Sequence, residues 1–206
     1  MARSKSSGRW LREHEEDRFV QQARRENYRS RAVYKLIEID AREQLLTEGI
    51  TVVELGAAPG GWTQYIERKL GHRGRIIATD ILPMDALGDV EFIQGDFTEQ
   101  SVLDALIAAM GDARADLVLS DMAPNMSGVA VSDQARAMYL AELALDTASR
   151  LLKPGGHFVT KMFQGRGFEE ICTEMRQTFE KLHIRKPEAS RSRSSEIYAV
   201  ARNLFL

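Results

Sequence analysis

The sequence predicts one α/β domain built around a mainly parallel β-sheet, and three observations support this. The first is its length of 206 residues with 44% hydrophobic side chains, which suffices for one domain with a sizeable core. The second is an alternation of apolar runs with helix-periodic segments, which is typical of parallel strands joined by right-handed helical crossovers. The third is a glycine-rich loop after the first strand, where open α/β sheets bind ligands.

The alternation covers most of the chain. Seven apolar runs are predicted to be strands, at 51–57, 75–81, 90–94, 115–120, 156–163, 182–185 and 197–204. Five periodic segments are predicted to be helices, at 32–46, 62–70, 101–110, 133–152 and 167–181. Lys153-Pro154-Gly155-Gly156 is predicted to end the longest helix. Polar residues 187–195 join the last two strands without a helical pattern, so one strand near the sheet edge is expected to be antiparallel.

The net charge of −2 hides an uneven distribution. Residues 1–35 hold ten Lys/Arg against five Asp/Glu, whereas the rest holds 18 basic and 25 acidic side chains. A second basic stretch runs from Lys181 to Arg193. Basic segments on an acidic body are typical of contact with nucleic-acid phosphates, although a solvated surface is the alternative for each stretch. We expect a mobile, basic N-terminal arm at 1–27 and a single domain at 28–206.

Composition also limits the cellular setting. Cys172 is the one cysteine, so no internal disulfide can form and a cytoplasmic location is expected. It lies in a predicted helix, where we expect a small buried hydrophobic side chain rather than a nucleophile. No apolar run approaches the ~20 residues that span a bilayer, so no membrane partner is expected. No apolar segment follows the basic N-terminus, which is therefore not expected to be a signal peptide.

The segment from Val52 to Trp62 is the most informative part of the sequence. It predicts a strand, a glycine-rich loop and a helix start, and such a loop lets backbone N–H groups approach an anionic ligand group closely. The usual dinucleotide pattern is G-x-G-x-x-G, but here Ala58 replaces the second glycine and Pro59 stiffens the turn. This residue pattern favours a loop that binds S-adenosylmethionine (AdoMet) over one that binds a dinucleotide. A tight turn without a ligand is the other alternative.

Three acidic residues are predicted to end successive strands on the side of this loop. Asp80 follows the loop by about 20 residues, which suits an acceptor for the ribose hydroxyls of AdoMet or of a dinucleotide. Asp96 is placed to accept from an adenine amine, with Phe97 beside it, and Asp121 ends the fourth strand. Each acid alone can be a helix cap or a solubilising loop residue. Three at successive strand ends favour a ligand site.

Five motifs in order carry a resemblance to a known family. They lie at 30–36, at the glycine loop with Trp62, and at 120–125, 161–165 and 193–198. From about Tyr28 onwards the chain resembles the FtsJ/RrmJ family of AdoMet-dependent RNA 2′-O-methyltransferases. The resemblance implies a Rossmann-like AdoMet-dependent methyltransferase fold. Its seven-stranded sheet would have helices on both faces and its last strand inserted antiparallel.

The resemblance also implies a function and a site. The expected reaction is methyl transfer from AdoMet to the ribose 2′-hydroxyl of a uridine in large-subunit (23S) ribosomal RNA, on an assembled or nearly assembled subunit. The implied catalytic quartet is Lys35, Asp121, Lys161 (the proton acceptor) and Glu196. The implied AdoMet contacts are Gly60 and Trp62 at the methionine end, Asp80 at the ribose, Asp96 at the adenine, and Asp121 between cofactor and substrate. The protein is expected to be a monomer without a metal ion, and the four histidines lack ligand spacing.

The chemistry agrees with these residue types. The methyl of AdoMet is already activated by its sulfonium, so the difficult part is a weakly acidic hydroxyl that must lie in line and lose its proton. A neutral lysine can accept that proton. A second lysine and burial favour the neutral form, whereas the two carboxylates favour the charged form. Lys161 stands among apolar residues of a predicted strand, so an exposed salt bridge explains it poorly.

Two other functions stay open at the level of sequence. A nicotinamide-dependent oxidoreductase explains the loop and Asp80, but not Lys35, Lys161 and Glu196 together. A non-catalytic ribosome-binding factor with the same fold explains the basic stretches, but not an intact quartet.

Overall fold

The computed structural model describes residues 16–191 and 194–205. The strands are β1 (Thr51–Leu55), β2 (Arg75–Asp80), β3 (Glu91–Gln94), β4 (Ala115–Ser120), β5 (Leu152–Phe163), β6 (Phe179–Arg185) and β7 (Glu196–Leu204). The helices are α1 (Arg18–Arg25), α2 (Val33–Glu43), α3 (Gly61–Leu70), α4 (Gln100–Met110), α5 (Ala130–Leu151) and α6 (Phe168–Thr178), with a short 3₁₀ turn at Gly71–Arg73.

The strands form one seven-stranded sheet in the order β3-β2-β1-β4-β5-β7-β6. All neighbouring pairs from β3 to β5 are parallel, and β7 is antiparallel to both β5 and β6. This confirms the predicted sheet with its last strand inserted antiparallel. Because β7 is buried from Ile197 to Ala201, it needs a neighbour on each side, whereas the more exposed β6 suits the edge.

Helices cover both faces of the sheet, as predicted. One core cluster joins the sheet to α4, α5 and α6, through residues such as Leu106, Ala144 and Met175. The other joins it to α2 and α3, through residues such as Leu36 and Ile66. The two-faced burial explains why most strands are continuous apolar runs rather than alternating ones. None of the described helices is long and apolar enough to cross a membrane.

Several element ends differ from the predicted ones because tertiary contacts outweigh local pattern. The predicted helix 167–181 ends at Thr178, and Phe179 instead starts β6, where its buried ring stacks on Phe158 at a centroid distance of 6.4 Å. The longest helix ends at Leu151, three residues before Pro154, but the segment after it already pairs in β5 rather than forming a separate turn. The predicted helix 32–46 ends at Glu43.

Helix α1 lies within the predicted N-terminal arm of residues 1–27. Asp17 caps this helix by accepting a hydrogen bond from the Phe19 N–H at 2.9 Å. Val20 and Ala23 are buried, and Ala23 belongs to a small apolar cluster that includes Tyr34 on α2. Residues 18–25 are thus folded against the domain. Their helical pattern was hard to detect because α1 is only eight residues long and mostly polar. Residues 1–15 of the predicted arm lie outside the described residues.

Candidate active site

The glycine-rich loop turns sharply at the end of β1. Gly56 has a φ of +78°, and a Cβ there would come within 2.3 Å of Met122 Cγ, so only glycine fits. The N–H groups of Gly56 and Ala57 both donate to the Thr79 carbonyl, at 2.9 and 3.1 Å. These bonds tie the loop to the end of β2, so the loop and the acidic strand ends form one edge of the sheet.

A cavity of about 410 Å³ opens beside this loop and is lined by the strand-end acids Asp80, Asp96 and Asp121. Its volume is within the range of small-molecule sites. The structure therefore brings these three predicted residues together. Gly56 and Met122 lie on its wall as well.

The first two acids are oriented by backbone hydrogen bonds. Asp80 accepts from the N–H groups of Ala58 and Leu82, at 2.9 and 2.8 Å. One oxygen of Asp96 accepts from the Thr98 N–H and hydroxyl, while its other oxygen has no partner among the described residues. Both carboxylates keep lone pairs that a ligand hydroxyl or amine can use.

Thr79 adds a polar group that the sequence did not single out. Its Oγ1 is buried on the cavity wall and is the one buried side-chain polar atom without a hydrogen-bond partner in the described part of the chain. A buried hydroxyl without a partner costs about 1–3 kcal/mol. A ligand in the cavity can relieve that cost.

The predicted quartet forms two ion pairs. Lys161 Nζ lies 3.0 Å from Asp121 Oδ1 and donates to the Asp121 carbonyl at 2.7 Å. Lys35 Nζ lies 2.7 Å from Glu196 Oε1. All four side chains are 9–15% exposed, so the pairs are screened from bulk water but still reachable. The lysines come from β5 and α2, and the carboxylates from the end of β4 and the start of β7.

Tyr198 joins the two pairs and was missed as a site residue. Its hydroxyl donates to Asp121 Oδ1, and Lys35 Nζ lies over its ring at 5.6 Å from the centroid. In the sheet Tyr198 is paired directly with Lys161. The sequence held a usable signal: Tyr198 follows Glu196 by two residues in a strand, so both side chains point to the same face.

Electrostatics hold Asp121 ionised. Burial alone would raise the pKa of Asp121, but the positive charges of Lys161 and Lys35 and the hydrogen bond from Tyr198 outweigh it, so the pKa is lowered. Burial raises the pKa of Tyr198 well above its ordinary value, and the negative charges of Asp121 and Glu196 raise it further. Tyr198 therefore stays a hydrogen-bond donor to an ionised carboxylate at neutral pH.

Glu54 is a second carboxyl group that the sequence did not select. Burial raises the pKa of Glu54 to about 8; the hydrogen bond from Thr63, at 2.6 Å, opposes this rise, and the charges of Asp121 and Asp80 add to it. Glu54 lines a small cavity of about 90 Å³ behind the glycine loop, together with Asp121. It is thus mainly neutral at pH 7.

The remaining two predicted contacts, Gly60 and Trp62, are not on the wall of the larger cavity. Trp62 is 2% exposed, lines the small cavity, and donates from Nε1 to the Ala32 carbonyl at 2.8 Å. Gly60 precedes α3 with a φ of +98° and lies against Arg29 and Met84 rather than on the wall of the larger cavity. Contact of either residue with a ligand stays a prediction.

The loop between β6 and β7 holds Glu196 in position through a hydrogen bond. Ser190, which is 5% exposed, donates to Glu196 Oε1 at 2.7 Å. Arg31 fixes this loop because its guanidinium donates to both the Ala189 carbonyl and the Asp17 carboxylate. Arg193, which begins the fifth predicted motif, lies outside the described residues. In residues 16–191 and 194–205, no three His, Cys, Asp or Glu side chains are grouped as metal ligands would be.

Comparison with known proteins agrees with this geometry. The profile of the FtsJ-like methyltransferase family matches residues 28–204. The ribosomal RNA large subunit methyltransferase E of Pseudomonas aeruginosa is 58% identical over 202 residues, which cover 98% of each chain. The protein of the same name from Cellvibrio japonicus is 55% identical over 205 residues, covering 100% of this chain and 97% of its own.

A solved structure is similar as well. A Plasmodium falciparum protein described as a ribosomal RNA methyltransferase superposes with a TM-score of 0.78 at 30% identity, over 86% of this chain and 99% of that one. The fold and these matches agree with the family resemblance that the motifs carry. The chain belongs to the FtsJ-like methyltransferase family.

Proposed function

We propose that this protein transfers the methyl group of AdoMet to the ribose 2′-hydroxyl of a uridine in 23S ribosomal RNA. The observation that supports this most is the meeting of two lysine–carboxylate pairs, Lys161–Asp121 and Lys35–Glu196, with Asp121 also lining a ligand-sized cavity. The relatives named ribosomal RNA large subunit methyltransferase E, at 55–58% identity, support the choice of substrate.

The residues of the larger cavity fit AdoMet. Asp80 suits the ribose hydroxyls, and the Asp96 oxygen that has no partner among the described residues suits the adenine amine. The Thr79 hydroxyl gains a partner, and the missing Cβ of Gly56 leaves room between the loop and Met122. Trp62, on the wall of the small cavity, and Gly60, in the glycine loop, would hold the methionine end. When bound, AdoMet supplies a methyl group that its positive sulfur has already activated.

The quartet supplies orientation and a proton acceptor. Lys161 in its neutral form accepts the proton that the 2′-hydroxyl loses as it attacks. Asp121, held ionised, then pairs with the ammonium that forms. Lys35 and Glu196 hold the ribose from the other side, where they are fixed by Ser190. Placing the reacting atoms in line accounts for much of the rate, because it replaces a bimolecular encounter with a positioned one.

The proposal extends to the setting of the reaction. We infer that the substrate is the assembled or nearly assembled large subunit, that the protein acts in the cytoplasm, and that it acts as a monomer. The basic residues near the N-terminus and between Lys181 and Arg193 would then contact ribosomal RNA phosphates.

Radiolabel transfer tests the proposal. Protein and methyl-tritiated AdoMet are incubated with large subunits, or with naked 23S RNA, from cells that lack this protein. We expect label at one uridine as a 2′-O-methyl group, with subunits the better substrate, and none with a Lys161→Ala control. No label in RNA, as a nicotinamide-dependent oxidoreductase or a non-catalytic binding factor would give, or label on a base, would contradict it.

A further inference from the structure

A second pocket adjoins the quartet at Lys35 and Glu196. We call it the side pocket; it measures about 330 Å³, and its walls include Arg31, Lys35, Arg191, Ser194 and Glu196. It shares no lining residue with the larger cavity. A ligand group in the side pocket therefore lies next to Lys35 and does not compete for the larger cavity.

The charges around the side pocket leave one cation in excess. Lys35 is paired with Glu196, and Arg31 is paired with Asp17. The Arg191 side chain makes no hydrogen bond or ion pair within the described residues. Its residue is partly exposed, so its guanidinium is available to a ligand. The pocket thus presents a net positive charge in a partly enclosed space.

Hydrogen bonds hold several residues around the side pocket in place. The Ser190 hydroxyl donates a hydrogen bond to Glu196 Oε1, and the Lys186 ammonium donates one to the Ser194 carbonyl at 2.7 Å. The Ser194 hydroxyl accepts from the Glu196 N–H at 3.1 Å. These hydrogen bonds hold Ser190 and Ser194 in place, so less conformational entropy would be lost there when an anion binds.

The covalent structure of RNA indicates which anion the side pocket would bind. In RNA the carbon that bears the 2′-hydroxyl is bonded to the one that bears the 3′-phosphodiester. A hydroxyl held at Lys161 and Lys35 therefore has a phosphate close by. Arginine is well suited to that phosphate, because its planar fork binds two oxygens at once.

We propose that the side pocket seats the 3′-phosphodiester of the target nucleotide and that Arg191 is its ligand. This rests on the proposed function, since the phosphate belongs to the RNA that is methylated. Arg191 then does two things: it adds binding energy, and it fixes the ribose relative to Lys161. A phosphate contact that only adds binding energy would do the first and not the second.

The test combines binding and rate for Arg191→Ala, Arg191→Lys and the wild type. Arg114→Ala is the matched control, because Arg114 is exposed, has no ion pair within the described residues, and precedes β4 at the opposite end of the strands. RNA affinity is measured over a range of salt, using whichever of naked RNA or unmethylated subunits the wild type binds. Single-turnover methyl transfer is measured at saturating RNA. AdoMet affinity, measured by calorimetry, checks that each variant is folded.

We expect Arg191→Ala to weaken RNA binding roughly tenfold or more. The slope of log affinity against log salt should fall by about 0.7–0.9, the value for one lost phosphate contact. The saturated methyl-transfer rate should also fall, while AdoMet affinity and Arg114→Ala stay at wild-type values. Arg191→Lys should restore the slope but only part of the rate, since a lysine lacks the fork.

Two results would overturn the assignment. An unchanged salt slope in Arg191→Ala would show that Arg191 binds no phosphate. A reduced slope with a wild-type saturated rate would make Arg191 a general RNA contact and not the seat of the reacting nucleotide. Failure of the proposed function itself is distinguishable, because the wild type would then transfer no methyl group to RNA at all.

Discussion

At the scale of single residues, Asp121 is where the two halves of the candidate site meet. It lines both the larger cavity and the small one, and it accepts from Lys161 and Tyr198. Its folded-state charge is stabilised by the two lysines, so removing either one leaves a buried carboxylate less well compensated. Variants of these lysines should therefore be compared for folding as well as for activity.

Asp80 gives the most direct test of the cofactor assignment. Asp80→Ala should weaken AdoMet binding by roughly 1.5–3 kcal/mol, because a hydrogen bond to a charged group is lost. Asp80→Asn should lose less, since its amide oxygen can still accept from the Ala58 N–H. Calorimetric titration measures both, and Asp89→Ala, at an exposed acid paired with His72, serves as control. Unchanged affinity in a folded Asp80→Ala protein would remove Asp80 from the site.

The raised pKa of Glu54 implies that the free energy of unfolding depends on pH. Because the pKa of Glu54 is raised from 4.5 to about 8, the folded protein keeps a proton that the unfolded chain releases between those values. Raising the pH through this window therefore destabilises the folded state, in the limit by on the order of a few kcal/mol. Glu54→Gln keeps the shape and removes the charge.

The free energies of unfolding of Glu54→Gln and the wild type should be compared by denaturant titration at pH 5 and pH 8 without ligand. We expect the variant to gain stability relative to the wild type as the pH rises. A difference that is the same at both values would show that Glu54 titrates normally in the folded protein.

At the scale of elements, the antiparallel insertion of β7 makes the site possible. It places Tyr198 opposite Lys161 and brings Glu196 to the edge where the parallel strands end. Helix α2 then brings Lys35 from the face that it covers. The position of β7 came from the family resemblance. Sequence pattern alone indicated only an antiparallel strand near the edge.

Some features of the site could not be predicted from local sequence patterns. The strands and helices were largely predictable, because buried apolar runs and helical periodicity are local signals, whereas the insertion of β7 and the proposed quartet came from the family resemblance. Strand periodicity could have placed Tyr198 on the face of Glu196, but its contact with Asp121 and the contact of Arg31 with Ala189 were not predictable, because they join segments far apart in sequence. The neutral state of Glu54 was not predictable either, since it follows from complete burial beside other carboxylates.

Deletions in the N-terminal region should affect RNA binding and thermal stability separately. Deleting residues 1–15 removes four of the chain's basic side chains, so it should weaken RNA binding and flatten its salt dependence, with AdoMet affinity unchanged. Deleting residues 1–27 also removes α1, so it should in addition lower the melting temperature, because the packing of Ala23 near Tyr34 is lost.

Filter binding at several salt concentrations and thermal melting separate the two effects. Equal RNA affinity of the full chain and the 1–15 deletion at every salt concentration would exclude residues 1–15 as an RNA contact. An unchanged melting temperature on removal of α1 would show that this helix adds nothing to the fold.

At the scale of the whole molecule, the charge distribution fits a substrate much larger than the protein. A sequence whose basic segments are separate from an otherwise acidic body would orient the protein on a polyanion rather than attract it uniformly. Since the substrate would supply most of the binding surface, the proposal needs no second copy of the chain. Light scattering should give a mass near 23.2 kDa, and a stable dimer at micromolar concentration would contradict the proposed monomer.

The central claim is that Lys161 and its partners transfer a methyl group by removing a proton from a ribose hydroxyl. The most direct test is the single-turnover methyl-transfer rate of Lys161→Arg, beside Lys161→Ala and the wild type, as a function of pH. Arginine keeps the positive charge but does not deprotonate in proteins. We predict that both variants bind AdoMet, that both are nearly inactive, and that the wild-type rate rises with pH. Substantial activity of Lys161→Arg with an unchanged pH profile would contradict the proton-acceptor role and leave Lys161 an electrostatic one.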